Sequence, residues 1–194
     1  MSDQAEQHPG RALLPPLDPE AALQAAGEVG VPEVLARLNV FRVLLRRPAL
    51  AKGTAGLLLA LLGKGSLAPR LRELQILRVA WRRGSAYEWS QHWRIASDLG
   101  VPESELLAVR EGPGAPGWDV AARLVLEAAD DVVADGRVSE ATLVGLCGAL
   151  GEEAALEAVV VPAVWAMVAV VLSSLEVPLE EGLGPWLPDG VGPQ

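Results

Sequence analysis

An all-α fold follows from three features of the 194-residue sequence. Helix punctuation recurs along the chain, with prolines and small polar residues where helices would start and glycines where they would stop. No stretch alternates apolar and polar residues with the period of two that a half-buried strand requires. The composition is 51% apolar but holds only eight aromatics, which suits a core built mainly of Ala, Leu and Val on helix faces.

The elements can be taken in order. Asp18-Pro19-Glu20 supplies a cap, a first-turn proline and a first-turn acid for a helix over about 19–28, and Val31-Pro32-Glu33 starts another short one. Pro48 leads into an Ala/Leu-rich helix that should end near Gly63 or Gly65. Ser66 is read as capping a helix over about 69–83, stopped by Gly84. Ser85 restarts a helix to about Leu99, with Gly100 as a left-handed terminator, and Pro102 opens the next. Residues 111–117 form an internal loop. Helices follow over about 118–134, closed by Asp135-Gly136, over 140–150 after Ser139, and over 152–175. From Val177 the chain is rich in Pro and Gly and is expected to be irregular. The expected organisation is one domain over 18–183, between a flexible tail at 1–17 and an irregular tail at 184–194.

Charge and composition exclude several function classes. A net charge of −9 and a pI near 4.7 argue against nucleic acid as a partner, although Arg70, Arg72, Arg78, Arg82 and Arg83 cluster locally. A single cysteine, Cys147, allows neither an internal disulfide nor a multi-cysteine metal site. The N-terminal stretch does not read as a secretion signal, so a cytoplasmic location is expected. Ala158–Leu175 is free of charge but is interrupted by Pro162, Ser173 and Ser174 and flanked by Glu157 and Glu176. It is read as a helix buried in a core or across a subunit interface, not in a membrane. Asp131 to Gly136 imitates a calcium loop but lacks its ligands at Val133 and Thr142, which makes it a turn. No phosphate-cradling loop is present, and no cofactor or metal is expected. His8 lies in a polar, proline-flanked tail and is given no role.

Chemistry concentrates in one stretch. Four of the eight aromatics, Trp81, Tyr87, Trp89 and Trp93, fall within thirteen consecutive residues, and His92 lies among them. Ser85, Glu88 and His92 are spaced i, i+3, i+7 and share one helical face. A carboxylate one turn from an imidazole can tune its proton affinity and hold its tautomer, which is the minimum for acid–base catalysis. Glu73 falls on the apolar stripe of Ile76, Leu77 and Ala80, where a carboxylate would be buried and in need of a partner, Arg78 or Arg82 for instance. Structural readings stand beside these. Ser85 and Glu88 fit a capping box, His92 alone is compatible with a satisfied core histidine, and Trp89 with Trp93 at i, i+4 could wall a pocket or fill a core.

The run LRELQILRVAWRRGSAYEWSQHWRIASDLGVPESEL, with the preceding NVFRVLLRRPAL and the closing VLSSLEVPLEEGL, resembles the carboxymuconolactone decarboxylase family within the alkylhydroperoxidase-D-like superfamily. The resemblance spans about Asn39 to Leu183. It implies an all-α, alkylhydroperoxidase-D-like helical bundle whose subunits associate as a homo-oligomer, a trimer or hexamer. The peroxidase branch uses a glutamate, two cysteines and a histidine in the spacing Glu-x11-Cys-x2-Cys-x3-His. Carried over, the glutamate is Glu73, the cysteines are replaced by Ser85 and Glu88, and the histidine is His92. Without the thiols, peroxide reduction by dithiol chemistry is not expected. The last long helix carries Val164-Trp165 where many relatives have His or Gln.

The resulting expectation is a cofactor-independent decarboxylase, lyase or isomerase that moves protons on a small carbonyl, lactone or polyene substrate. His92 would be the general acid/base, Glu88 its partner or a second acid, and Glu73 a buried relay. Ser85, Tyr87, Trp81, Trp89, Trp93 and Trp165 would bind substrate, and Arg72, Arg78 or Arg82 would hold any substrate carboxylate. The alternative is a decayed family member that acts as a small-molecule-binding or oligomerising scaffold.

Overall fold

The computed structural model describes residues 14–63 and 65–193; His8 and most of the expected N-terminal tail lie outside them. The described residues form ten helices and no strand: α1 (Pro19–Val29), α2 (Glu33–Ala36), α3 (Asn39–Leu44), α4 (Pro48–Gly63), α5 (Pro69–Arg83), α6 (Ala86–Asp98), α7 (Glu103–Ala108), α8 (Val120–Asp135), α9 (Glu140–Leu150) and α10 (Glu152–Ser174).

Local chemistry sets most boundaries. Asp18, Asp119 and Ser139 each accept a backbone N–H in the first turn of α1, α8 and α9, satisfying donors that have no partner inside the helix. Gly30, Gly84 and Gly136 end α1, α5 and α8 in the left-handed conformation. The turn after α8 is closed by Asp131, whose carboxylate accepts from the Ser139 amide and the Thr142 hydroxyl at 2.9 Å each.

One helix is not expected from the sequence, and two local expectations need correction. The short helix α3 has no side-chain cap and is held mainly by burial of Val40, Phe41 and Val43. Ser66 does not cap α5, whose N-cap is Ala68. Instead the Ser66 and Leu67 amides donate to Glu157 of α10 at 2.7 and 2.8 Å, a bond spanning some ninety residues. The capping box at Ser85 does not form, because its side chain makes no cap hydrogen bond and its backbone (φ −90°, ψ 89°) is not in the usual cap geometry.

Helix α5 is the axis of the larger core. It packs on α6, α8 and α10, and its residues from Leu71 to Ala80 are all buried. Gln75 ties the three layers together by donating to Val125 O of α8 and Ala158 O of α10 at 3.0 and 2.7 Å. A second cluster joins α1 to α4 around Phe41 and Leu45 and meets Tyr87 and Leu172. Helix α10 is the one described helix long and apolar enough to cross a membrane, but half of its apolar window is buried against α5, α8 and α9. That is the packing of a core helix, and Leu156, Met167 and Val170 remain exposed on its far side.

After α10 the chain continues as an irregular strap from Val177 that runs back across α6. Arg110, after α7, grips it through paired bonds to Asp189 at 2.8 Å each. The loop carrying Arg110 is itself pinned by Arg78, which donates to Val109 O and Arg110 O at 2.9 Å and pairs with Asp130. Gly112 (φ +90°) is required there, because a Cβ would come within 2.5 Å of the Arg78 guanidinium.

Candidate functional site

The left-handed Gly84 folds α6 back along α5, and this turn brings Glu73 against His92. Glu73 Oε2 lies 2.6 Å from His92 Nδ1, and its Oε1 accepts from Arg72 Nε at 3.0 Å. On the other side of the ring, Trp165 Nε1 of α10 donates to His92 Nε2 at 2.9 Å, with the two rings edge to face. An indole N–H can only donate. His92 Nε2 must therefore carry the lone pair, the proton sits on Nδ1, and Nδ1–H donates to Glu73. The ring is held as one neutral tautomer with both nitrogens engaged. Burial pushes the Glu73 carboxyl up, but His92 and Arg72 together outweigh it and hold it below the usual carboxylate range.

One turn before His92, Glu88 is in the opposite condition. It is 3% exposed, and neither carboxyl oxygen has a hydrogen-bond partner among the described residues. Burial drives its pKa up to about 8, opposed only weakly by the nearby Ser85 hydroxyl, which makes no hydrogen bond to it. At neutral pH it is a carboxylic acid that keeps its proton.

Glu88 and His92 lie on the wall of a cavity of about 310 Å³. Tyr87, Gln91 and Ile95 of α6 line it, with Trp165, Val168 and Leu172 of α10, Val34 and Leu35 of α2, and Val40 and Phe41 of α3. Tyr87 and Gln91 are set by the strap, since both donate to the Glu180 carboxylate, which also takes the Asn39 amide at 2.9 Å. Burial and Glu180 push the Tyr87 phenol above its ordinary range, so it stays protonated. No group of metal-binding side chains occurs among the described residues.

Residues 48–131, from the start of α4 into α8, match the Carboxymuconolactone decarboxylase family. The match covers less than half of the chain. No curated protein matches the chain. Solved structures similar to it include these three. A cysteine-to-alanine variant of the debrominase Bmp8 in complex with 2,3,4-tribromopyrrole has a TM-score of 0.75 and 20% identity, over 88% of this chain and 93% of that one. A peroxidase-related alkylhydroperoxidase AhpD core from Ralstonia eutropha JMP134 has a TM-score of 0.66 and 19% identity, over 85% and 87%. A peroxidase-related protein from Silicibacter sp. TM1040 has a TM-score of 0.67 and 17% identity, over 97% and 98%. At these identities the likeness is one of fold, which is alkylhydroperoxidase-D-like.

Within the matched segment, the four positions carried over from the peroxidase motif converge: Glu73, Ser85, Glu88 and His92 lie on adjoining turns of α5 and α6, all buried. Tyr87 and Trp165 join Glu88 and His92 on the cavity wall, whereas Ser85 is not among the lining residues. The other indoles lie elsewhere. Trp81, Trp89 and Trp93 pack on one another and on Trp186 of the strap, with ring centroids 5.2–6.2 Å apart. Trp89 Nε1 donates to Leu187 O at 2.6 Å, and Arg110 stacks over Trp81 and Trp89. They pack on the strap and do not line this cavity.

The arginines also differ from expectation. Arg78 and Arg82 pair with Asp130 on α8, so neither partners Glu73 nor is free for a substrate. Arg72, next to Glu73 in the chain, takes that role. The residues missing from the sequence reading are Gln91, Asn39 and Glu180, whose grouping depends on contacts across roughly ninety to 140 residues.

Proposed function

We propose that the protein is an acid/base enzyme that moves a proton on a small, largely apolar carbonyl compound, a lyase or isomerase and not a thiol peroxidase. The observation that carries this reading is Glu88: a buried carboxyl with both oxygens unpartnered, on the wall of an apolar cavity. The folded chain leaves the hydrogen-bonding capacity of this group unused, at a cost that a substrate can offset. The thiol positions of the peroxidase motif hold Ser85 and Glu88, and Cys147 is exposed on α9.

In this mechanism Glu88 gives its proton to an enolate-like carbon or to a carbonyl oxygen. The resulting carboxylate, unfavourable in its apolar setting, takes a proton back from the adjacent C–H or from water. Glu73, His92 and Trp165 form a braced wall. His92 becomes a base only when the indole bond to Nε2 opens, so the general acid/base role passes from His92 to Glu88. Tyr87 and Gln91, fixed by Glu180, orient the substrate.

Exchange of C–H for C–D in D2O, followed by proton NMR over uncharged ketones, enones and lactones, tests this reading. A substrate should lose exchange by about 10²–10⁴-fold in Glu88→Gln. Exchange at the wild-type rate in that variant would show the reading to be wrong. The full engagement of both His92 nitrogens favours a second reading, a binding scaffold, for which ligands would bind with no exchange at all.

A further inference from the structure

The family name points to a lactone acid, an anionic substrate, and a site for an anion needs a free cation or several directed donors. Among the described residues, the cavity beside Glu88 has neither. Arg72 is spent on Glu73 and the Leu61 carbonyl. Arg37 of α2 pairs with Glu33 on its own helix, and Arg42 of α3 donates to Asn39 and to the Leu17 carbonyl. Lys52 of α4 is exposed and outside the lining, and α10 has no charged residue between Glu157 and Glu176. The remaining ionisable groups facing the cavity are Tyr87, tied to Glu180, and His92, tied to Glu73 and Trp165. A carboxylate placed here would add a second acid to one that is already uncompensated.

What the wall offers is a single carboxyl with two open oxygens among aliphatic and aromatic side chains. An unpaired carboxyl buried without a counter-charge stays protonated, so it has one O–H to donate and one carbonyl oxygen that can accept. We propose that the cavity takes uncharged, apolar molecules that present one hydrogen-bond acceptor to Glu88, and that it rejects carboxylates. This rests on the reading of Glu88 as the group that meets the substrate. It narrows the substrate class to neutral ketones, esters, lactones and similar ring compounds of a size that fits about 310 Å³. The high proton affinity of Glu88 agrees with it: the donor is present below about pH 8 and is lost above.

A matched pair of probes decides the matter. Cyclohexyl methyl ketone and cyclohexanecarboxylate have the same ring and nearly the same volume, and differ in charge. By ligand-observed NMR titration the ketone should bind at pH 6.5 with a Kd at least tenfold below that of the carboxylate. Its affinity should fall at least tenfold by pH 9.5. In Glu88→Gln the amide N–H still donates, so the ketone should still bind and the pH dependence should vanish. Ile95 is half-exposed on the cavity wall, so Ile95→Arg can place a cation there without emptying the core; it should improve carboxylate binding at least tenfold. The proposal is overturned if the carboxylate binds as well as the ketone to the wild type, if neither probe binds, or if the pH dependence survives in Glu88→Gln. Turnover plays no part in this readout. A ketone that binds as expected but is never converted overturns the enzymatic reading alone, and a carboxylate substrate converted in a Glu88-dependent manner overturns this proposal alone.

Discussion

Helix α6 serves two regions with opposite properties. Its Trp89 and Trp93 face joins Trp81, Trp186 and Arg110 in an aromatic cluster whose indole donor at Trp89 is satisfied by Leu187 O. Its Glu88 and His92 face borders a largely apolar cavity where one carboxyl is left without partners. The aromatic side leaves only Arg110 Nε unpaired, on a guanidinium whose other nitrogens are bonded to the strap, and the cavity side leaves a whole carboxyl unpaired. The place to look for chemistry is where the polar accounting stays open, not where large side chains gather.

If that contrast holds, damage to the two faces should have different consequences. Trp89→Ala should cost about 3–5 kcal/mol in urea or thermal unfolding, because it empties the most buried indole and frees the strap. Ketone binding in the fraction that stays folded should change little.

Glu88→Gln should do the reverse. The folded-state pKa of Glu88 is raised to about 8, above its ordinary value of 4.5, so the folded chain binds the extra proton between these values. The contribution of Glu88 to wild-type stability is therefore most favourable below about pH 4.5, falls as pH rises through that window, and levels off above about pH 8. The variant lacks this fall, so its advantage should grow to on the order of 4 kcal/mol at pH 8. Paired denaturant titrations from pH 5 to 9 would show it, and parallel stability curves would erase the distinction between the two faces. Glu73 behaves in the ordinary sense: its lowered pKa gives stability that is present above the usual carboxylate range and lost as pH falls below it.

Trp165→Phe is the finer probe. It keeps the ring's bulk and removes the donor to His92, at a cost of about 1 kcal/mol. The imidazole Nε2 resonance in 15N NMR should shift as its bond is lost, while Nδ1 keeps its bond to Glu73. No change at Nε2 would mean that the indole does not hold the tautomer.

Most of the fold was legible because its boundaries are made locally. Asp18, Asp119, Ser139, Gly30, Gly84 and Gly136 act on their own helix ends, so their residue types carry the information. Helix α3 is invisible to that reading because Leu38 gives it no cap. Ser66 misleads because its partners are Glu153 and Glu157, far along the chain. The site divides the same way. Helical spacing alone puts Glu88 and His92 on one face, and the apolar stripe around Glu73 announces a buried acid. The partner of that acid, the role of Trp165 and the destination of the indoles depend on α10 and the strap, which no local pattern connects to α6. The capping-box motif at Ser85 fits the sequence yet fails in the fold, and its failure leaves Glu88 free to face the cavity.

Arg78 links these parts in a further way. Its guanidinium joins Asp130 on α8 to the carbonyls of Val109 and Arg110, and Arg110 in turn holds Leu187 and Asp189. The strap is thus fastened to the most deeply buried helix of the larger core despite having no regular structure. In hydrogen-exchange terms it belongs to the same cooperative unit as α5 and α8, and the Gly190 amide, bonded to Trp186 O at 2.8 Å, should exchange nearly as slowly as theirs. Arg110→Ala should release that amide to fast exchange while leaving the protection of α8 intact.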